Sequence, residues 1–136
     1  AVHCLTVHPR MPDVRVQAHL TGALERRASP GGDLAAAAGG GLVLGRWLLG
    51  RGATYEAAGR RFAPFNRLAA PDHGARRAWI ELADQTLAAK QRFVLTVNNN
   101  AEGCAPLGIA ALVRELLARP DTGAAGEPPA PPSIDS

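Results

Sequence analysis

Three short apolar runs, at residues 3–7, 42–47 and 93–97, constrain this chain more than any other feature. Each is too short for a helix and is closed by turn chemistry. Each is followed by a segment whose apolar residues recur at helical spacing. Strands alternating with helices in this way imply right-handed crossovers and a parallel sheet. The third run is apolar apart from Thr96. That is the pattern of a strand buried on both faces, and parallel sheets lying between helix layers are its usual source.

The punctuation supports the same order of elements. His8-Pro9-Arg10-Met11-Pro12 forbids continued regular structure, because two prolines remove two backbone donors and fix φ. Asp13 is placed to cap a helix reaching about Arg27, with Val16, Leu20, Ala23 and Leu24 as its apolar positions. Ser29-Pro30-Gly31-Gly32 is a break, and Gly39-Gly40-Gly41 reads as linker before the second strand. Thr54 caps a short helix through Arg61, which Ala63-Pro64-Phe65 ends. Asp72 caps a helix to about Lys90, with Trp79, Ile80, Ala83 and Leu87 on one face and Glu81, Asp84 and Gln85 on the other. Pro106 suits the first turn of the last helix, whose expected buried stripe is Ile109, Val113, Leu116 and Leu117. Residues 1–119 therefore read as one domain, and residues 120–136, rich in Pro, Ala and Gly, as a disordered tail.

Composition narrows the partners. The 136 residues carry a net charge of +3, but the tail contains Asp121, Glu127 and Asp135 and no base. Residues 1–119 hold 15 basic and 9 acidic residues, a net +6, which favours anions. The competing account is a solvated surface biased to Arg by a GC-rich, bacterial genome, since only Lys90 among the bases is Lys. Cys4 and Cys104 are far apart and lack metal-ligand spacing, so they read as free thiols of a reducing, cytoplasmic compartment. No stretch has the length of a membrane span, and no secretory leader is visible. Phosphate-loop, dinucleotide, nucleophile-elbow and zinc motifs are lacking, so no cofactor or metal is specified.

Three strands do not close a barrel. The alternatives are a small open sandwich or a piece of something larger, and a start at Ala1 that runs almost directly into a strand favours the second. Four stretches carry a resemblance that agrees. They are Val7-His8-Pro9-Arg10-Met11-Pro12, Gly45-Arg46-Trp47, the pair formed by Tyr55 to Ala58 and Ala63-Pro64-Phe65-Asn66-Arg67-Leu68, and Asn98-Asn99-Asn100-Ala101-Glu102-Gly103-Cys104-Ala105-Pro106-Leu107. In order and spacing they resemble the YecE-like family (domain of unknown function 72), over roughly residues 3–118. The resemblance implies an α/β fold, the last three strand–helix units of a TIM-type (β/α)8 barrel, incomplete in this chain. It does not imply a reaction. The family more often has Asp at the position of Asn66, Lys at Asn100, Asn at Leu48 and Ser at Gly108, each more polar than the residue here.

A β/α barrel carries its site at the C-terminal ends of its strands. That rule selects His8 and Arg10, then Arg46 and Trp47, then Asn98, Asn99 and Glu102. Arg46 either holds a carboxylate or phosphate through two parallel hydrogen bonds or pairs with a nearby acid such as Glu102. Glu102 either serves as general acid or base or braces Arg46. Asn98 and Asn99 either orient a polar ligand or shape the turn. The helix opening at Ala105 offers N–H groups to an anion. His8 and Arg10 are candidate ligand contacts, and Trp47 either stacks on a sugar or base or packs between barrel and helix.

Three functions are consistent with these residues. The first is an enzyme or binding barrel that takes a small anionic or sugar-like ligand at its mouth, with acid/base or hydrolytic chemistry. The second is a basic module that docks on nucleic acid. The third is a remnant without activity, which needs its missing N-terminal half or self-association to cover its apolar surfaces.

Overall fold

The computed structural model describes residues 4–24 and 41–119. Ser29 to Gly32, the glycines at 39 and 40, His3 and the tail from Pro120 lie outside the described residues. The elements run β1 (Cys4–Val7), α1 (Val14–Thr21), β2 (Leu42–Trp47), α2 (Tyr55–Phe62), α3 (His73–Ala88), β3 (Arg92–Val97), α4 (Asn99–Glu102) and α5 (Ala105–Leu117). The strands form one parallel sheet in the order β1-β2-β3, open at both edges. The expected caps form. Asp13 accepts from the Arg15 N–H, Thr54 from the Ala57 N–H and Asp72 from the Ala75 N–H.

Among the described residues, elements cover one face of the sheet. The register aligns Leu5 with Gly45 and Leu95, and Val7 with Trp47 and Val97. Side chains alternate along a strand, so these residues share one face with Val43 and Phe93. That face packs on Ala75, Ala78, Trp79 and Leu82 of α3 and on Val14 and Ala18 of α1. Gly45 makes the fit possible. A Cβ there would stand 2.8 Å from Trp79 Cζ3 and 2.9 Å from Leu95 Cδ1, so the missing side chain is the room in which the Trp79 ring lies.

The other face carries Cys4, Thr6, Leu42, Leu44, Arg46, Arg92, Val94 and Thr96, and no described element covers it. This corrects the expectation for β3. Arg92, Val94 and Thr96 are exposed and alternate with the half-buried Phe93, Leu95 and Val97. The strand is apolar on both sides but buried on one.

Three helix faces also differ from the periodicity. Helix α1 stops at Thr21 rather than near Arg27, because Gly22 takes a left-handed conformation and donates back to Ala18 and His19 carbonyls. Its buried residues are Val14, Gln17 and Ala18, while Val16 and Leu20 are exposed. Gln17 sets that rotation. Its side-chain oxygen accepts from the Thr6 N–H at 3.0 Å, and its NH2 donates to the Thr6 and Pro12 carbonyls at 2.7 Å each. The Val7 carbonyl serves Leu48 on the β2 side, so the Thr6 backbone groups point to the outer edge, and Gln17 satisfies them where another strand would. In α3 the expected Trp79 and Ile80 are buried, but the buried line runs on through Ala75, Ala78, Leu82 and Thr86, and Leu87 is exposed. In α5 the expected stripe is largely outward, with Ile109, Val113 and Leu117 exposed. The helix instead approaches through Gly108 and Leu112.

Candidate functional site

The C-terminal ends of the strands gather the sequence-selected residues into three separate environments. The first is the last turn. Asn98 Oδ1 accepts from the Asn100 N–H at 2.9 Å, and Asn99 Oδ1 accepts from the Ala105 N–H at 2.8 Å. Both amide oxygens are thus consumed by the turn. The backbone donors fix which end of each amide is oxygen, and the exposed NH2 groups remain to donate. The N-terminus of α5 has few donors left for an anion: Ala105 N–H is taken by Asn99, and Pro106 has none.

Glu102 lies beneath this turn, 1% exposed. Its Oε1 accepts from the Asp72 N–H at 2.7 Å and lies 2.9 Å from Arg76 Nη2. Arg76 is itself buried and donates through Nη1 to Glu115 at 2.8 Å, and His73 Nδ1 stands 3.5 Å from the same Glu115 oxygen. Burial pulls the Arg76 pKa down, but contacts with Glu115 and Glu102 outweigh it and leave the pKa raised. Glu102 therefore braces Arg76, not Arg46. Its main-chain carbonyl adds two bonds, from the Ala69 and Ala70 N–H groups. Gly103, at φ +110°, completes the clamp: a Cβ there would stand 2.7 Å from the Arg67 carbonyl oxygen. The stretches around Asn66 and Asn98, separate in sequence, are one contact. Glu102 Oε2 has no hydrogen-bond partner among the described residues, and it stands 2.9 Å from where a Cβ of residue 108 would be.

The second environment is the uncovered face one residue short of the strand ends. There Thr6, Arg46 and Thr96 stand in a row across β1, β2 and β3. Arg46 is exposed, and its guanidinium has no ion-pair partner among the described residues. Trp47, next in sequence, points the opposite way and is fully buried. It is unavailable for stacking on a ligand, because alternation sends it into the helix layer with Val43 and Gly45.

The third environment is a cavity of about 360 Å³ beyond β1, on the helix side. His8 lines it, together with Asp13 and Arg51. Arg10 does not, and its role there is indirect: its backbone N–H donates to His8 Nδ1 at 3.2 Å. The His8 ring also lies 6.2 Å from that of Tyr55, centroid to centroid. Sequence reasoning passed over Gln17, Arg51, Asp13 and Arg76 as functional or bracing groups. Of these, Arg51 and Asp13 had a readable signal, since both follow strand ends closely.

Among the described residues, no three His, Cys, Asp or Glu side chains converge as metal ligands, and no helix is long and apolar enough to cross a membrane. No model of a known protein family, no curated protein and no solved structure matches this chain.

Proposed function

We propose that these strand–helix units are the C-terminal part of a YecE-like β/α barrel, and that the barrel binds a small anionic or sugar-like ligand at its mouth. The observation that carries the reading is Arg46, without an ion-pair partner among the described residues and flanked by Thr6 and Thr96 on the face that a closed barrel would turn inward. The row offers a guanidinium and the Thr6 hydroxyl as donors, while the Thr96 hydroxyl donates to the Gly45 carbonyl at 3.4 Å. The last turn adds only the amide NH2 groups of Asn98 and Asn99, whose oxygens are engaged. Such a donor-rich mouth selects a ligand rich in acceptors, as an oxyanion or sugar phosphate is. Glu102, tied to Arg76 and Asp72, holds the turn in place and leaves proton transfer to groups elsewhere in the barrel.

Two features support the barrel. The uncovered face holds Leu42, Leu44 and Val94, and parallel sheets are ordinarily covered on both sides. The outer helices expose apolar residues at helical spacing, Val16 and Leu20 on α1 and Ile109, Val113 and Leu117 on α5, where neighbouring helices of a ring would lie.

The test extends the coding sequence upstream of Ala1. Five further strand–helix units in frame are expected, and the extended protein should show a thermal shift with sugar phosphates that Arg46→Ala removes. A stop codon or unrelated sequence upstream, or a shift that survives Arg46→Ala, overturns the proposal.

A further inference from the structure

The cavity beyond β1 is separate from the Arg46 row. Val7, Pro9, Met11, Pro12, Val14, Ala75 and Ala78 give it an apolar lining, while Arg46 takes no part. Two donors stand at it. The Arg10 N–H holds His8 Nδ1 as an acceptor, so the neutral ring carries its proton on Nε2 and offers it as a donor. Arg51 is the second. Its side chain is 75% exposed, and its nearest acid, Asp13 Oδ2, is 3.7 Å away. Asp13 does not hold it firmly, because Arg15 already engages both carboxylate oxygens, Nε to Oδ1 at 2.8 Å and Nη2 to Oδ2 at 3.0 Å.

We infer that this cavity binds a small organic monocarboxylate, with the carboxylate between Arg51 and His8 and an apolar body on the Val14, Ala75 and Ala78 floor. The volume is that of a small-ligand site. A guanidinium matches a planar carboxylate through two parallel bonds. Arg15 offsets the Asp13 carboxylate, so Arg51 is left to balance a single negative charge, and Asp13 in the same lining opposes a dianion such as phosphate. Neither the barrel nor the Arg46 ligand is needed for this site, since all its lining residues belong to the chain described.

The experiment is ligand-observed NMR titration of the full chain with benzoate, its neutral isostere benzamide, and inorganic phosphate. Saturable benzoate binding at roughly 10 mM or below is expected, with benzamide and phosphate at least about tenfold weaker. Arg51→Met, an exposed change that spares the fold, should weaken benzoate about tenfold or more, and Arg46→Ala should leave it unchanged. Absence of saturable benzoate binding, equal binding of benzamide or phosphate, or indifference to Arg51→Met overturns the inference. Loss of benzoate binding in Arg46→Ala moves the ligand to the uncovered face and overturns it as well.

Discussion

The two faces of the same three strands are built by opposite rules. On the covered face each residue answers to a neighbour: Gly45 is empty because Trp79 fills its place, and Trp79 meets Phe93 with ring centroids 6.1 Å apart. On the uncovered face Thr6, Arg46 and Thr96 answer to no described neighbour above them. One face fixes how the helices sit. The other is free to present donors, and its apolar residues, half-exposed Leu42 and Leu44 and exposed Val94, contribute little to holding this chain together. Substitutions that respect or ignore this division test it.

The largest effect is expected at the edge of the covered side. Glu102→Ala leaves Arg76, 4% exposed in its side chain, as a buried charge with only Glu115 beside it. Removing one partner of a buried pair costs about 3–5 kcal/mol, read as a fall in the denaturation midpoint. Pairing Glu102→Gln with Arg76→Met should recover much of that. A cost under about 1 kcal/mol for Glu102→Ala would mean that the clamp does not stabilise the fold. Gly45→Ala comes next. Its new methyl group meets Trp79 and Leu95 at under 3.0 Å, and overpacking of this kind costs about 1–3 kcal/mol. A neutral result would place the Trp79 ring elsewhere and dissolve the contrast between the faces.

These positions also show what the sequence makes legible. The three strands, their parallel order and the caps Asp13, Thr54 and Asp72 were readable, because apolar runs, prolines and capping side chains act locally. Which way an apolar residue faces was not. Ile109, Val113 and Leu117 have the spacing of a buried stripe, yet α5 docks through Gly108, whose lack of a side chain lets it lie against Glu102 and Val97. Leu20 is exposed because Gln17, a polar residue in an apolar pattern, bonds to the β1 edge. At the candidate site, the C-terminal strand ends located Arg46 and His8. They could not reveal that Glu102 faces Arg76, a partner 26 residues earlier in the sequence that only tertiary packing brings near.

A smaller effect separates the rim of the covered side from its interior. The Arg15 guanidinium, bonded to Asp13, holds that carboxyl below the usual carboxylate range, with burial opposing and the Arg15 backbone N–H assisting. A depressed folded pKa contributes stability that is complete above the unfolded value, near 3.8, and is lost as pH falls through the lower folded value. The contribution is expected to be about 1 kcal/mol or less, because Arg15 is half in solvent. Asp13→Asn should therefore lower stability slightly at neutral pH and lose this difference as pH falls below 3.8 and through the lowered folded value. Because Asn caps a helix about as well as Asp, an unchanged difference at low pH would mean that the loss does not come from the carboxylate charge.

The smallest effect is the most discriminating. Val94→Thr lies on the uncovered face of β3, where the residue is 44% exposed and a threonine keeps the branched shape that strands favour. At low micromolar concentration the chain should lose no more than about 0.5 kcal/mol, as surface substitutions do. The same substitution acts differently if another surface covers that face. A buried hydroxyl without a partner costs about 1–3 kcal/mol, so the loss would rise with protein concentration if copies of this chain pair through their open sheets. In an upstream-extended protein it would be large at every concentration if further strands close a barrel and turn Val94 inward. Measuring one substitution at two concentrations and two chain lengths thus distinguishes a face that is free, a face that meets its own copy and a face that belongs inside a barrel.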